Sequence, residues 1–302
     1  MRIAALESFL TELVCHFGLQ DHLVGVSADS DFPEAISALP RVTAAESGSG
    51  MINGLASAAV DPASIKNVGA DILLGGIPGK DEDGTRLKRA REVVRSTFGE
   101  GVKFSSYWPR TLEQVSECFE KVGRELGAAD RGVALSHNFK AQAMDWCDNF
   151  YERMKNKRVS FISALEPLSL ARGWVPDMIH MCSAHSHSQS GGEVDEHTDW
   201  ESLKRFRPDV MIFGLRGVDL HGSAQSLKRL ERLDGWDDIP AVKRGEVVFV
   251  EGRGHFHRPG PRLLDSMGIL VSAIAGLDSG YITPRESFYR LRWVELQRHR
   301  FS

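Results

Sequence analysis

The sequence predicts an α/β protein of two Rossmann-like lobes, each built on a parallel sheet, joined by one long backbone helix. Three observations predict it. Short β-branched or apolar runs alternate with segments of helical period, the pattern of parallel strands covered by helices. A stretch of the first half recurs in register 138 residues further on. Between the two copies lies a segment with one apolar helical face.

The first lobe is predicted to span residues 1–129. Its strands are expected at Arg2–Leu6, Leu23–Ser27, Asp71–Gly75 and Val102–Ser106, and its helices at Phe9–Gly18, Pro62–Val68, Gly84–Phe98 and Thr111–Leu126. Gly18 and Gly127 stand where helix C-caps belong, and Pro62 suits a first helical turn. The connecting helix covers 130–157, where Phe139, Ala143, Cys147, Phe150 and Met154 recur at three- and four-residue steps. At 1.5 Å per residue, about 26 residues would span roughly 40 Å, enough to bridge two domains. The second lobe, 158–302, offers strands at Arg158–Leu165, Asp209–Gly214 and Glu246–Val250. Its helices fall at Asp199–Phe206, Ala224–Leu233 and Arg262–Ala275, and Tyr281–Ser302 is expected to pack as a final helix.

The repeat compares DPASIKNVGADILLG, from Asp61, with DWESLKRFRPDVMIFG, from Asp199. Asp61 matches Asp199 and Asp71 matches Asp209. Ser64, Ile65 and Lys66 match Ser202, Leu203 and Lys204. Each copy reads as a short helix feeding an apolar strand, which makes the lobes similar in build.

Composition excludes several classes. The net charge of -4 gives no general basic surface for nucleic acid. No apolar run reaches the roughly 18 residues of a membrane span. Glu7 and Glu12 interrupt the apolar residues near Met1 where a signal peptide would be uninterrupted. The expected compartment is therefore the cytoplasm, with the periplasm as alternative if a signal has been removed. The four cysteines form no C-x-x-C pair and no disulfide framework. Gly75-Gly76-Ile77-Pro78-Gly79-Lys80 lacks the spacing of a phosphate loop, and Gly252-Arg253-Gly254 is short of a dinucleotide fingerprint. No G-x-S-x-G elbow is present. The protein is expected not to be an enzyme.

Four further segments carry a resemblance. They are Thr11-Glu12-Leu13 through Gly18 and Val24–Ser27 to Ser30-Asp31-Phe32-Pro33; Asp71–Leu74; Glu166-Pro167 with Gly173-Trp174-Val175-Pro176-Asp177-Met178; and Phe256-His257-Arg258-Pro259-Gly260-Pro261-Arg262-Leu263. In this order the chain resembles the ABC-importer substrate-binding proteins whose lobes are joined by one rigid helix, in particular their cobalamin-binding branch. The resemblance implies a binding protein for a corrinoid, held in a cleft between the lobes by residues on strand-end loops. Those residues would be Phe32, Tyr107, Trp108, Glu166, Trp174, His255, Phe256 and Arg258. Aromatic faces supply contact area at low entropy cost, and a few polar groups fix orientation. His255 offers an imidazole to a cobalt or to a haem iron, or stands as a loop histidine. Most aromatics pack, so Phe32 and Trp174 also have a packing reading.

The ligand expected is a small-molecule metal chelate, cobalamin or a related corrinoid, with haem or an iron siderophore as the alternative. No further cofactor is required. Importer-docking members of the resembled family carry a glutamate on each lobe. The corresponding positions are read here as Ala63 and His257, neither acidic, which puts an ABC permease partner in doubt. The polar insert from His180 to His197 offers His180, Cys182, His185 and His187 as zinc ligands, or forms a solvated loop. A metal-dependent enzyme using that insert is a third reading.

Overall fold

The computed structural model describes residues 1–44, 50–79, 81, 83–191 and 195–291. Lys80, Gly192 and residues 292–302, including Trp293, Val294 and Leu296, lie outside them. The chain divides into two compact units, 1–109 with 116–136, and 110–115 with 137–302.

In chain order, the elements up to the second unit's sheet are β1 (Ile3–Ala5), α1 (Ser8–His16), β2 (Leu23–Val26), β3 (Thr43–Ala44), β4 (Ala59–Val60), α2 (Pro62–Val68), β5 (Ile72–Gly75), α3 (Thr85–Phe98), β6 (Lys103–Ser106), α4 (Leu112–Glu125), α5 (Ala129–Asn149) and α6 (Tyr151–Met154). The first unit's sheet has the order β2-β1-β5-β6, and every pairing is parallel. Ile3, Ala4 and Ala5 of β1 are fully buried, as an uninterrupted apolar run in a two-sided parallel sheet should be. Leu6, Val42, Leu55, Ile65, Leu73 and Phe104 build a core around it. Each such side chain stabilises by roughly 1.5–3 kcal/mol relative to exposure.

The second unit continues with β7 (Arg158–Leu165), β8 (Leu168–Leu170), α7 (Val175–Met181), β9 (His185–Ser186), β10 (Glu196–His197), α8 (Trp200–Phe206), β11 (Val210–Phe213), α9 (Leu220–Gln225), α10 (Leu227–Leu230), α11 (Pro240–Arg244), β12 (Val247–Val250), α12 (Leu263–Ala275) and β13 (Phe288–Leu291). Its sheet has the order β10-β8-β7-β11-β12-β13, with β9 beside β7. The central β7, β11 and β12 are parallel, while β8, β10 and β13 run antiparallel to their neighbours. Phe213 and Phe249 stack in its core with centroids 5.3 Å apart.

The repeat has a physical basis. Asp61 caps α2 by accepting from the Ala63 N–H at 3.0 Å, and Asp199 caps α8 by accepting from the Ser202 N–H at 2.6 Å. The second matched pair does a second shared job. Asp71 accepts from the Arg2 N–H, and Asp209 from the Arg158 N–H, each at 3.0 Å. Each aspartate thus ties the start of its own strand to the strand beside it.

Two expectations are corrected. The connecting helix does not run from 130 to 157. α5 has 21 residues, about 32 Å at 1.5 Å per residue; the chain breaks helical geometry at Phe150 and resumes as the single turn α6. The division between the units falls within α5, between Ser136 and His137. The expected final helix is also not seen in its described part. Phe288–Leu291 is a strand that closes the edge of β12, with Phe288 opposite Val250 and Leu291 opposite Val247. An uncovered strand edge has a row of unmet backbone groups, and this pairing satisfies it while burying Phe288 and Leu291.

Candidate ligand-binding site

Open parallel sheets bind ligands beyond the carboxyl ends of their strands. In the first unit that end is formed by the segments after β1, β2, β5 and β6. Phe32 lies after β2 and is 46% exposed. Tyr107 and Trp108 directly follow β6. The Tyr107 hydroxyl is taken up by Glu125, which also receives Ser105 and Lys103. Trp108 packs so closely on Gly76 that a Cβ there would lie 2.8 Å from its ring and 2.9 Å from the Tyr107 carbonyl. Beside them sits a residue the sequence reading passed over. Glu7, immediately after β1, is 6% exposed. It accepts from the Ser57 N–H at 2.5 Å and the Ser57 hydroxyl at 2.7 Å. Burial pushes its carboxyl up to about 7, against the lowering effect of the two Ser57 bonds.

In the second unit the richest segment follows β12. Glu251 accepts from the backbone N–H groups of Gly254 and His255 at 3.0 and 3.2 Å, and its Oε2 lies 2.9 Å from His255 Nδ1. Burial opposes the charge on Glu251, but the His255 contact and the backbone N–H bonds outweigh it and hold the carboxyl down at about 2. The result is a clamped loop with an ionised carboxylate at its centre and one nitrogen of His255 engaged. The same segment explains Gly252: a Cβ there would collide with the Leu215 carbonyl, and its N–H donates to Val218 O at 2.9 Å. Gly252 thus serves close backbone approach, and Gly254 makes room for the Arg262 guanidinium.

Trp174 precedes α7, is partly buried, and donates from Nε1 to the Phe256 carbonyl at 2.7 Å. It is thereby fixed to the loop that carries His255 and Arg258. Phe256 itself is corrected. At 1% exposure and with φ of 56°, it plugs the core against Phe161, ring centroids 4.8 Å apart, so its face is not open to a ligand. Glu166 is exposed in the turn between β7 and β8 and pairs with Arg229.

Behind this loop is a polar cluster that the sequence reading did not name. Both oxygens of Asp195 lie 3.1 Å from Arg216 Nη2. Burial works against the Asp195 charge, yet Arg216 and the Ser163 hydroxyl keep its carboxyl below the ordinary range. His257 donates from Nε2 to the Gly214 carbonyl at 2.6 Å. Burial first, then the Arg216 charge, lowers its imidazole to about 4. Asp195 and Arg216 are distant in sequence and sit in loops with no spacing signal, so only the fold brings them together.

The zinc expectation for the insert is also corrected. Cys182 is 1% exposed with its Sγ 4.0 Å from Cys147 Sγ. His187 stacks on Phe206 at 4.1 Å and bonds Ser160 at 3.0 Å. His185 is exposed in β9 opposite Arg158, and His180 is exposed on α7. These partners pull the four side chains apart, and among the described residues no group of three or more His, Cys, Asp or Glu is placed to hold a metal ion.

Comparison with known proteins decides the fold. A periplasmic haem-binding protein of Pseudomonas aeruginosa superposes with a TM-score of 0.70 at 20% identity, covering 96% of this chain and 97% of that one. The chain has the fold of a periplasmic solute-binding protein. The periplasmic vitamin B12-binding protein BtuF of Vibrio cholerae gives a TM-score of 0.67 at 19% identity, over 90% and 96% of the two chains. An uncharacterised ABC-transporter substrate-binding lipoprotein of Bacillus subtilis, YvrC, is 21% identical over 280 residues, 90% of this chain and 79% of that protein. No family model matches.

These similarities overturn the expectation of a cytoplasmic protein, because the similar proteins named here are periplasmic or a lipoprotein. The doubt about a permease also loses its basis. It placed the second docking position at His257, whose ring is turned inward onto Gly214 O. The repeat instead carries Ala63, in the first turn of α2, onto Glu201, in the first turn of α8; both are exposed.

Proposed function

We propose that the protein is the substrate-binding component of an ABC importer, a binder and not an enzyme, and that its ligand is a metal-centred macrocycle of the corrinoid class. The observation that carries this reading is the Glu251–His255 pair. A carboxylate on one imidazole nitrogen orients the ring and raises the basicity of the other, the arrangement that supports metal-ligating histidines. His255 would then offer Nε2 to the metal from the loop that also carries Arg258 and to which Trp174 is fixed. The similarity to vitamin B12-binding, haem-binding and ABC substrate-binding proteins supports a metal-chelate ligand and a permease partner. Glu201 is the acidic residue proposed to face that permease.

A second reading, haem, is favoured by one observation. Among the described residues Arg172 Nε is buried without a hydrogen-bond acceptor, and the Glu196 carboxylate lies 4.0 Å from it. An anionic group such as a haem carboxylate would satisfy it.

Visible absorption during titration with aquocobalamin, and with haemin in parallel, tests both. Saturable binding with a spectral shift is expected for the proposed ligand. His255→Ala should abolish the shift, and Glu251→Gln should weaken binding roughly 10- to 100-fold. A Soret shift with haemin and silence with cobalamin would transfer the assignment to haem. Silence with both would overturn the macrocycle reading.

A further inference from the structure

Two thiols outside the candidate site meet in the second unit. Cys147 lies on the buried face of α5, and Cys182 is the C-cap residue of α7. Their sulfurs are 4.0 Å apart, although the residues are 35 apart in sequence. Both are buried, at 8% and 1% exposure. The Cys182 backbone is fixed, with its N–H directed at the Met178 and Ile179 carbonyls at 3.3 and 3.1 Å, and Cys147 sits inside a 21-residue helix. The approach is therefore set by two anchored elements and not by a loop free to swing. An S–S bond of about 2.05 Å needs each sulfur to move by about 1 Å from this separation.

We propose that Cys147 and Cys182 form a reversible disulfide that staples α7 to α5. The oxidant is a small-molecule or protein disulfide. The Cys147 thiolate attacks one sulfur of that disulfide, which releases its other half as a thiol and leaves a mixed disulfide on Cys147. Cys182, no longer bonded to a thiolate once Cys147 carries the mixed disulfide, then gives up its proton, attacks the Cys147 sulfur and expels the second half as a thiol. The two protein thiols give up two protons and two electrons, and one external disulfide becomes two thiols. Cys147 is the entry point because it is the more exposed of the pair. The Cys182 thiol bonded to it also eases ionisation of Cys147, and Cys182 itself is held protonated by that bond and by burial. The staple joins α5 to the helix whose first residue follows Trp174. A disulfide is stable in the oxidising surroundings in which solute-binding proteins of this fold work.

The test is thiol counting on the full chain, which has four cysteines. The reduced protein is exposed to oxidised glutathione, unfolded, alkylated and mapped by mass spectrometry. The expected result is that two of the four cysteines escape alkylation and that the peptides carrying Cys147 and Cys182 are linked. Dithiothreitol should reverse this, and the oxidised form should melt on the order of 5–10 °C higher. Cys147→Ser should abolish both the link and the melting shift. Four alkylated cysteines after oxidation, a link through Cys15 or Cys118, or a glutathione adduct that stays on Cys147 would each overturn the proposal. The wild-type map decides the matter even if the variant folds poorly.

Discussion

Glu7 shows how far a single residue can depart from its sequence appearance. In the sequence it reads as a charge interrupting an apolar start. In the fold it is buried at the carboxyl end of β1, bonded to Ser57, and its pKa of about 7 lies above the ordinary 4.5. The folded chain therefore holds this proton more tightly than the unfolded chain does. Stability from Glu7 is fully present below about pH 4.5, falls as pH rises, and levels off above 7, a loss of about 3 kcal/mol. His257 has the opposite sign. Its pKa is lowered to about 4, so its contribution is present above about 6.5 and is lost as pH falls toward 4. Glu7→Gln keeps an acceptor for Ser57 without the charge. The stability of the variant relative to wild type should rise by roughly 2–3 kcal/mol between pH 5 and pH 8, measured by urea unfolding at each pH. Parallel profiles for the two proteins would refute the burial account. The same limit applies to Phe256: nothing in Gly-His-Phe-His-Arg tells that the phenylalanine turns inward at positive φ while its neighbour His255 is clamped by Glu251. Those facts depend on which carboxylate the loop folds around.

At the scale of elements the sequence carried more, because periodicity and capping are local. All seven expected strands occur, and of the seven helices expected besides the connecting and final ones, six correspond to single observed helices to within one or two residues at their ends. The last, Ala224–Leu233, is replaced by α9 and α10, which meet at Ser226. The misses have tertiary causes. β13 is an edge strand that pairs with β12, β8 is an antiparallel strand inserted between β7 and β10, and α5 stops where Phe150 leaves helical geometry. The repeat also makes an element-scale prediction. α2 ends on Gly69 and α8 on Arg207, both left-handed, with φ of 58° and 53°. An L-residue there costs about 1–2 kcal/mol that glycine avoids. Arg207→Gly should therefore stabilise by about 0.5–1 kcal/mol, net of the added freedom of the unfolded chain, and Asp199→Ala should destabilise by about 1 kcal/mol through loss of the cap. Urea unfolding of both variants checks the pair. A destabilised Arg207→Gly would mean that contacts of the Arg207 side chain outweigh its backbone strain.

For the whole molecule, fold and function were legible to different depths. An α/β chain of two similar units follows from alternation and a repeat, which survive at low identity because caps and buried strands tolerate few substitutes. Ligand identity does not follow in the same way. Loop residues such as Asp195, Arg216 and Glu251 have no period, and only the fold brings them to their partners. Phe32, Trp174 and His255 were accessible to sequence reasoning because they stand next to strand ends or a helix start. Glu251, the carboxylate that holds His255, was not. This separation makes thermal stability an independent test of the ligand, since a molecule that binds only the folded chain must stabilise it whatever contacts it makes. At a free concentration about 100 times its dissociation constant, the ligand should add about 2.7 kcal/mol and raise the melting temperature by roughly 5 °C. For aquocobalamin the rise should grow with the logarithm of concentration, and in His255→Ala the same curve should be displaced to higher concentration. A melting temperature that stays flat while the absorption spectrum shifts would place the chromophore on unfolded or non-specific sites, and would count against His255 as the group that holds the metal.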